Sequence, residues 1–303
     1  MHLTFRQLQC FSAVARNLSY TRAAEELHLT QPAVSMQIRQ LEQQAGIAVT
    51  EQLGKQIHLT EAGKEVYRYA RSILQQVEEM ADVLDTLKGL SGGRLRIAAI
   101  SSANYFAPRL LGTFNQRFDK VSVSINVTNQ TAVLRQVLDN EVDMAIMGQP
   151  PDDSQLDAIP VMDNPLIIVA PPTHRLAKRK RIALKELEKE VFLTREPGSG
   201  TRGAMYRFFN QHKIKLTTGM ELGGLSSIKQ GVQAGLGLGL LPRGAVEVEL
   251  MLGRLVELKF SEMPIRRHWY VVLHKDKRLS AAASAFKALL IEEAVDLLQS
   301  DSS

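Results

Sequence analysis

The chain has 303 residues, 45% apolar and 23% charged, which suits about two globular domains of roughly 150 residues and excludes a disordered or low-complexity protein. The net charge of +5 is no DNA footprint by itself, because residues 1–60 set Arg6, Arg16, Arg22, Arg39 and Lys55 against Glu25, Glu26, Glu42 and Glu51, and the excess lies beyond them. The start of the chain cannot serve as a signal peptide, no run approaches the ~20 apolar residues that cross a bilayer, and the single Cys10 permits no intrachain disulfide, so a cytoplasmic protein without a membrane partner is expected.

Helix 1 is predicted to start at Thr4 as cap, with Leu8, Phe11, Val14, Ala15 and Leu18 on its apolar face. The stretch Leu18 to Leu41 then reads as a helix-turn-helix. Ser19 or Thr21 caps a short helix, the small Ala23 and Ala24 let a second helix cross closely, and Leu27 and Leu29 turn the chain. Thr30 caps the second helix, with Gln31 and Pro32 in its first turn, where a proline removes no hydrogen bond. Val34, Ile38 and Leu41 point inward, leaving Gln31, Ser35, Met36, Gln37 and Arg39 outward, among them side chains suited to base edges and phosphates in a major groove. The plain alternative is a helical hairpin with a solvated polar face. Beyond Gly46, Val49 to Leu59 around Gly54 reads as a β-hairpin wing whose Lys55 would reach backbone phosphate or the minor groove. The expected DNA-binding set is Ser19, Thr21, Arg22, Thr30, Gln31, Pro32, Ser35, Met36, Arg39 and Lys55.

From Thr60 the chain is strongly helical for almost thirty residues. Val66, Ala70, Ile73, Val77, Met80, Leu84 and Leu87 alternate spacings of four and three, the a/d pattern of a coiled coil, and predict a dimer seam. The alternative, a single helix lying on its own domain, fits less well because at ~1.5 Å per residue it outruns so small a domain. Two recognition helices joined by such a seam would read half-sites of a pseudo-palindrome ~34 Å or more apart.

Leu90-Ser91-Gly92-Gly93 marks the next boundary. A strand at Arg94 to Ile100, a helix bearing Phe106, Leu110, Leu111, Phe114 and Phe118, a strand at Val121 to Val127, a helix at Ala132 to Leu138 and a strand at Val142 to Met147 imply a largely parallel sheet covered by helices. A second such unit runs from Pro165, with strands at Leu166 to Ala170, Val191 to Thr194 and Leu236 to Leu241 and helices at Thr201 to Phe209 and Ser226 to Ala234. The strand His268 to Leu273 rejoins the first unit before a terminal helix, Ser280 to Leu298. The expected domains are a winged helix-turn-helix at 1–59, a linker helix at 60–90 and an α/β effector-binding domain at 91–303, split into subdomain I (about 91–164 and 267–303) and subdomain II (about 165–266).

In such a fold a ligand enters the crevice beyond the strand ends. Ser101 and Ser102, with Ala103 after them, lie between a strand and a helix start that favours an anion, although capping alone would explain the serines. Glu196-Pro197-Gly198-Ser199-Gly200-Thr201-Arg202 is more specific: its glycines admit backbone to a ligand, Thr201 donates, and Arg202 offers a bidentate fork to phosphate or carboxylate. A glycine-rich loop with a solvated arginine is the bland alternative. Gly235-Leu236-Gly237-Leu238-Gly239 leaves a helix and opens a strand, the wrong order for a dinucleotide loop, and suits a C-cap with a tightly packed strand. The basic run His174-Arg175 and Lys178-Arg179-Lys180-Arg181 reads as a solvated turn. The seven histidines show no metal-ligand spacing and Cys10 lies in the DNA-binding half, which disfavours an enzyme; a transport solute-binding protein is disfavoured by the fused helix-turn-helix.

Ala23-Ala24, Leu27-His28-Leu29-Thr30-Gln31-Pro32-Ala33-Val34-Ser35, Leu41-Glu42 and Leu59-Thr60-Glu61-Ala62-Gly63 resemble the winged helix-turn-helix of LysR-type transcriptional regulators, and the resemblance continues through the rest of the chain. Within that family it is most similar to regulators of Calvin-Benson-Bassham (carbon dioxide fixation) operons. The resemblance implies a periplasmic-binding-protein-like effector domain in which Ser101-Ser102 faces the Arg202 loop across the cleft, with Asn129, Gln130 and Gln149 on its floor. It further implies a transcription activator that binds double-stranded promoter DNA as a homodimer assembling to a homotetramer, works with RNA polymerase, carries no cofactor, and answers to a small anionic metabolite such as ribulose bisphosphate or NADPH. The chain departs from the family at Val49-Thr50, where Leu-Phe is usual, and at Gln52, near which an arginine is usual, so wing packing and DNA grip are at issue.

Overall fold

A computed structural model describes residues 2–54, 56–87, 92–294 and 296. Lys55, Leu90 and Ser91, the side chain of Leu87 and the end of the expected terminal helix lie outside the described residues. The chain divides into two compact units, Met1–Leu90 with Asp139–Glu141, and Ser91–Leu138 with Val142–Ser303.

The first unit holds α1 (Phe5–Asn17), α2 (Tyr20–Glu26), α3 (Gln31–Ala45), the hairpin β1 (Thr50–Leu53) and β2 (Gln56–Leu59), and the long α4 (Glu61–Leu87). Each of the first three helices starts where a hydroxyl can take a free amide. Thr4 and Gln7 close a reciprocal capping box at α1, Ser19 accepts from the Arg22 amide at α2, and Thr30 from that of Ala33 at α3. Leu8, Phe11, Val14, Ala23, Ala24, Val34, Ile38 and Leu41 form one buried cluster with Val49 and Ala70. Leu18, expected on the apolar face of α1, is instead its left-handed C-cap and is exposed.

The second unit begins with β3 (Gly93–Ile100), a 3-10 turn at Ser101–Ala103, α5 (Ala107–Arg117), β4 (Val121–Thr128), α6 (Gln130–Leu138), β5 (Met144–Met147) and β6 (Leu156–Asp163). It crosses to β7 (Leu166–Ala170), β8 (Val191–Arg195), α7 (Gly200–Gln211), β9 (Thr217–Leu222), α8 (Gly224–Gln233), β10 (Gly239–Pro242), α9 (Glu247–Met251) and β11 (Val256–Glu257), and returns through β12 (His268–His274) to α10 (Ala281–Glu292). The first sheet has the order β4-β3-β5-β12-β6, with β3 parallel to both neighbours and the returning β12 antiparallel to both of its own. Its core joins Phe106, Leu110, Phe114, Trp269 and Phe286. In the second subdomain β7 pairs antiparallel with β10 and β11, while β8 and β9 are parallel. Leu238 links the two sheets: its carbonyl accepts from the Leu193 amide at 2.9 Å and its amide donates to the Val191 carbonyl at 2.8 Å. The crossings run side by side: the Asn164 amide donates to the Arg267 carbonyl at 2.7 Å, and Leu166 and Ile265 bond each other at 3.0 Å in both directions.

Strands β6 and β9 escape the sequence pattern. Pro160 interrupts β6, an edge strand that needs fewer ladder donors, and β9 is almost wholly exposed and so carries no apolar alternation. Antiparallel pairing around β7 and β12 also departs from the largely parallel sheets expected. Phe118 ends α5 as an exposed C-cap instead of extending its buried face. The strand expected from Leu236 starts only at Gly239, because Gly235 and Gly237 take positive φ values and Gly237 packs against the Val191 carbonyl.

Candidate DNA-reading surface and effector cavity

On α3 the inward residues are fully buried while Gln31, Pro32, Met36 and Arg39 are exposed and Ser35 and Gln37 half-buried. Thr21, Arg22 and Thr30 are exposed beside them, and Ser19 is half-buried with its hydroxyl used as a cap. The face therefore offers an amide, a hydroxyl and a guanidinium suited to a major groove.

The wing is fastened to this helix by one carboxylate. Glu42 Oε1 accepts from the amides of Val49 (2.9 Å) and Thr50 (3.2 Å) and from the Thr50 hydroxyl (3.2 Å), which also meets the Tyr20 hydroxyl at 3.2 Å. The two residues that depart from the family pattern are thus accommodated: Val49 is buried in the core, and Thr50 ties Glu42 to α2. Gln52 is exposed and donates to the Gly54 carbonyl. A glycine is required at 63, since a side chain there would start 1.9 Å from the Val49 carbonyl oxygen. Cys10 is fully buried in the same core, and burial pushes its thiol pKa up.

The expected seam on α4 divides in two. Ala70 is fully buried and Val66 half-buried within the chain's own core, which corrects their assignment to a partner-facing stripe. Ile73, Val77, Met80 and Leu84 are 43%, 36%, 56% and 46% exposed and form an uncovered apolar row.

In the second unit a cavity of about 740 Å³ opens between the two subdomains. Gln130, Thr131, Gln149, Pro150 and Pro151 line it from one side, the Pro197-Gly203 loop and the first turns of α7 from the other, and Arg267 from the returning crossing. Of the nine expected effector residues, Gln130, Gln149 and Arg202 line this space; Ser101, Ser102, Ala103, Asn129, Glu196 and Thr201 do not. The Gly198-Gly200 turn packs directly on Asn129, Gln130 and Thr131, closely enough that a side chain at 200 would start 2.1 Å from Gln130 Oε1.

Two of the missing residues, Ser101 and Glu196, join Arg195 in a second polar cluster. Arg195, nearly completely buried, holds both oxygens of Glu196 (2.6 and 2.7 Å) and donates to Ser101 Oγ at 2.9 Å, while its Nη1 has no partner. That guanidinium holds the Glu196 carboxyl down at about 2, against the opposing effect of burial. The Gly224 amide, at the start of α8, completes the cluster on Glu196 Oε2. Ser102, Ala103 and Thr201 are buried, Ser101 is bound to Arg195, and neither serine caps a helix with its side chain.

Arg202 reaches the cavity but is already engaged. Its Nη1 donates to the Arg195 carbonyl at 2.7 Å and to Glu221, and its guanidinium lies 5.7 Å from the centre of the Tyr206 ring. Sequence reasoning missed Arg207 and Arg267, which also line the cavity, because one sits mid-helix and the other more than sixty residues from the loop. The basic run folds onto its own acids, with His174 and Arg175 bound to Glu190 and Arg175 and Arg179 to Glu186.

Comparison with known proteins agrees along the chain. Residues 5–64 match the family described as bacterial regulatory helix-turn-helix protein, lysR family, and residues 88–295 match the LysR substrate binding domain. A RuBisCO operon transcriptional regulator of Allochromatium vinosum is 49% identical over 97% of each chain. The CcmR regulatory domain of Synechocystis PCC6803, solved in complex with 2-PG, is 38% identical over 66% of this chain and 96% of that one, with a TM-score of 0.63. Full-length OxyR of Pseudomonas aeruginosa, at 21% identity, shares the fold, with a TM-score of 0.74 over 99% of this chain and 95% of that one.

Proposed function

The chain belongs to the LysR family of DNA-binding transcription regulators, and from that premise we propose that it controls carbon dioxide fixation genes as an activator whose signal is a small phosphorylated metabolite. The observation that carries the target is the 49% identity, along 97% of both chains, to a regulator of a RuBisCO operon. The ligand class follows from the CcmR domain holding 2-PG and from an arginine-lined cavity whose volume suits a small metabolite.

The outward face of α3, with Gln31, Ser35 and Arg39 as base and phosphate contacts and Thr21, Arg22, Thr30, Pro32 and Met36 around them, reads one half-site of promoter DNA. Ser19 supports that surface as a cap, and Lys55, outside the described residues, is assigned to the wing's phosphate contact. The uncovered row from Ile73 to Leu84 supports a homodimer through α4; assembly to a homotetramer, contact with RNA polymerase and action in the cytoplasm complete the proposal. The domain limits of 1–59, 60–90 and 91–303 are part of the same reading. Effector binding regulates only if one arrangement of the protein binds it better than another.

Footprinting on the DNA upstream of the RuBisCO genes, with and without 2-phosphoglycolate, ribulose bisphosphate or NADPH, tests this. Protection of a pseudo-palindrome whose extent changes with one of these ligands is the expected result. Protection only at an unrelated operon would leave a LysR regulator with another target.

A further inference from the structure

The cavity carries a charge imbalance that the effector reading alone does not explain. Arg202, Arg207 and Arg267 all line it, and no aspartate or glutamate is among its described lining residues. Arg202 is neutralised from behind by Glu221. The other two have no such counterion among the described residues. Arg267 Nη1 makes one long bond, 3.3 Å to the Gly200 carbonyl, its Nε is buried without any partner, and its Nη2 lies over the bare Cα side of Gly148, 3.2 Å from where a side chain would begin. Burial, and then the like charge of Arg207, push Arg267 down to about 10, so it remains a cation at neutral pH. An unpaired guanidinium held in this way is costly unless an anion arrives. The start of α7 adds to the field: its N-cap, Ser199, makes no side-chain cap, and Ser199 and Gly200 line the cavity at the positive end of the helix.

We propose that Arg267 and Arg207 form a two-guanidinium seat for a phosphate dianion of the effector, and that Arg202 is a positioning residue that ties the α7 start to β9 through Glu221. The proposal rests on the cavity being the effector site. A guanidinium pair matches a phosphate because each can donate two parallel N–H groups to separate oxygens, whereas a single carboxylate would leave one cation unpaired. Gln130, Thr131 and Gln149 are then placed to take the remainder of the metabolite.

Calorimetry on the full-length protein, with 2-phosphoglycolate and glycolate as probes, isolates the phosphate. In the wild type phosphoglycolate should bind at least about a hundredfold more tightly, and that ratio should fall about tenfold or more in Arg207→Ala and in Arg267→Gln. Arg267→Lys should recover part of it, because the charge stays and the fork is lost. Arg202→Ala should keep the ratio within about threefold while lowering the melting temperature. Arg207 is exposed, so its variant will fold even if those at 267 do not. A wild-type ratio in Arg207→Ala, or a ratio lost only in Arg202→Ala, would overturn the seat. Wild-type protein that binds a non-phosphorylated ligand in the cavity but neither phosphoglycolate nor inorganic phosphate would also overturn it, while leaving the effector reading intact.

Discussion

Placing Asp at Ile73 tests whether the uncovered row on α4 is a dimer seam. The four side chains from Ile73 to Leu84 are each roughly half exposed, so completing their burial is worth ~1 kcal/mol apiece, about half of what full burial gives. Over two helices that sums to about 8 kcal/mol, against an association cost of ~4–15 kcal/mol, so the seam stands near balance. Ile73→Asp removes two of these contributions and sets two carboxylates against each other in a desolvated seam, at least about 4 kcal/mol in all, or roughly a thousandfold in dimer dissociation. Within one chain the same change replaces a half-exposed side chain outside the buried cluster of its own unit, and should cost about 0.5 kcal/mol. Sedimentation should therefore show dissociated, folded protein that binds a half-site but loses cooperative binding to the full operator. Ala70→Asp should behave differently and melt the DNA-binding unit, since Ala70 is fully buried. Parental assembly and DNA affinity in Ile73→Asp would refute the seam.

The other predictions concern the reading face, the wing and the polar cluster. Gln31→Ala and Ser35→Ala should each weaken the specific site by about 1–3 kcal/mol with little change on random DNA, and equal losses on both would show that neither reads a base. Gly63→Ala should shift the wing or α4, because its methyl would start 1.9 Å from the Val49 carbonyl oxygen; an unchanged melting curve would contradict the packing. Glu196 has its folded pKa lowered from 4.5 to about 2, so it stabilises the effector domain above about 4.5, and that contribution is lost as pH falls toward about 2. Glu196→Gln should flatten that part of the stability curve and cost stability at pH 7, and an unchanged acid limb would argue against the Arg195 pairing.

The features that the sequence made legible are local in origin. Caps at Thr4 and Thr30, and the apolar spacing of Val34, Ile38 and Leu41, all act within a few residues and located the start of α3 to the residue, while the choice between Ser19 and Thr21 as cap of α2 fell to Ser19 only in the structure. The seam residues showed the same regularity, yet periodicity does not say which surface a stripe meets, and the first two turns of the stripe turned inward to the chain's own core. The cavity was legible in part, for a related reason. Gly198 to Arg202 reads from sequence as a candidate ligand loop and does line the cavity at Gly198, Ser199, Gly200 and Arg202, but Arg267 reaches the same space from a crossing segment and Arg207 from further along α7, so only the fold brings them together. Arg202 had the right chemistry for an anion; Glu221, on a strand with no apolar alternation, could not be foreseen as the residue that occupies it.

The position of Arg267 also suggests how a filled cavity could be felt elsewhere. Its carbonyl accepts the Asn164 amide at 2.7 Å, so the residue belongs to one of the two paired crossings on which the subdomains are hinged, and its side chain meanwhile donates to the first residue of α7 in subdomain II. A phosphate drawing Arg267 and the α7 start together acts across the hinge, whereas one bound by Arg202 alone would act within subdomain II. Ser101 and Arg195 form a second polar tie between the subdomains, outside the cavity, which resists any opening independently of ligand. The regulatory effect is then the difference in phosphate affinity between the hinge angles this tie permits: a tenfold difference shifts the arrangements by about 1.4 kcal/mol, and equal affinity would shift nothing. Ser101→Ala should therefore loosen the hinge and change the ligand's influence on DNA binding more than it changes ligand affinity. A proportional loss of both would place Ser101 in direct contact with the effector.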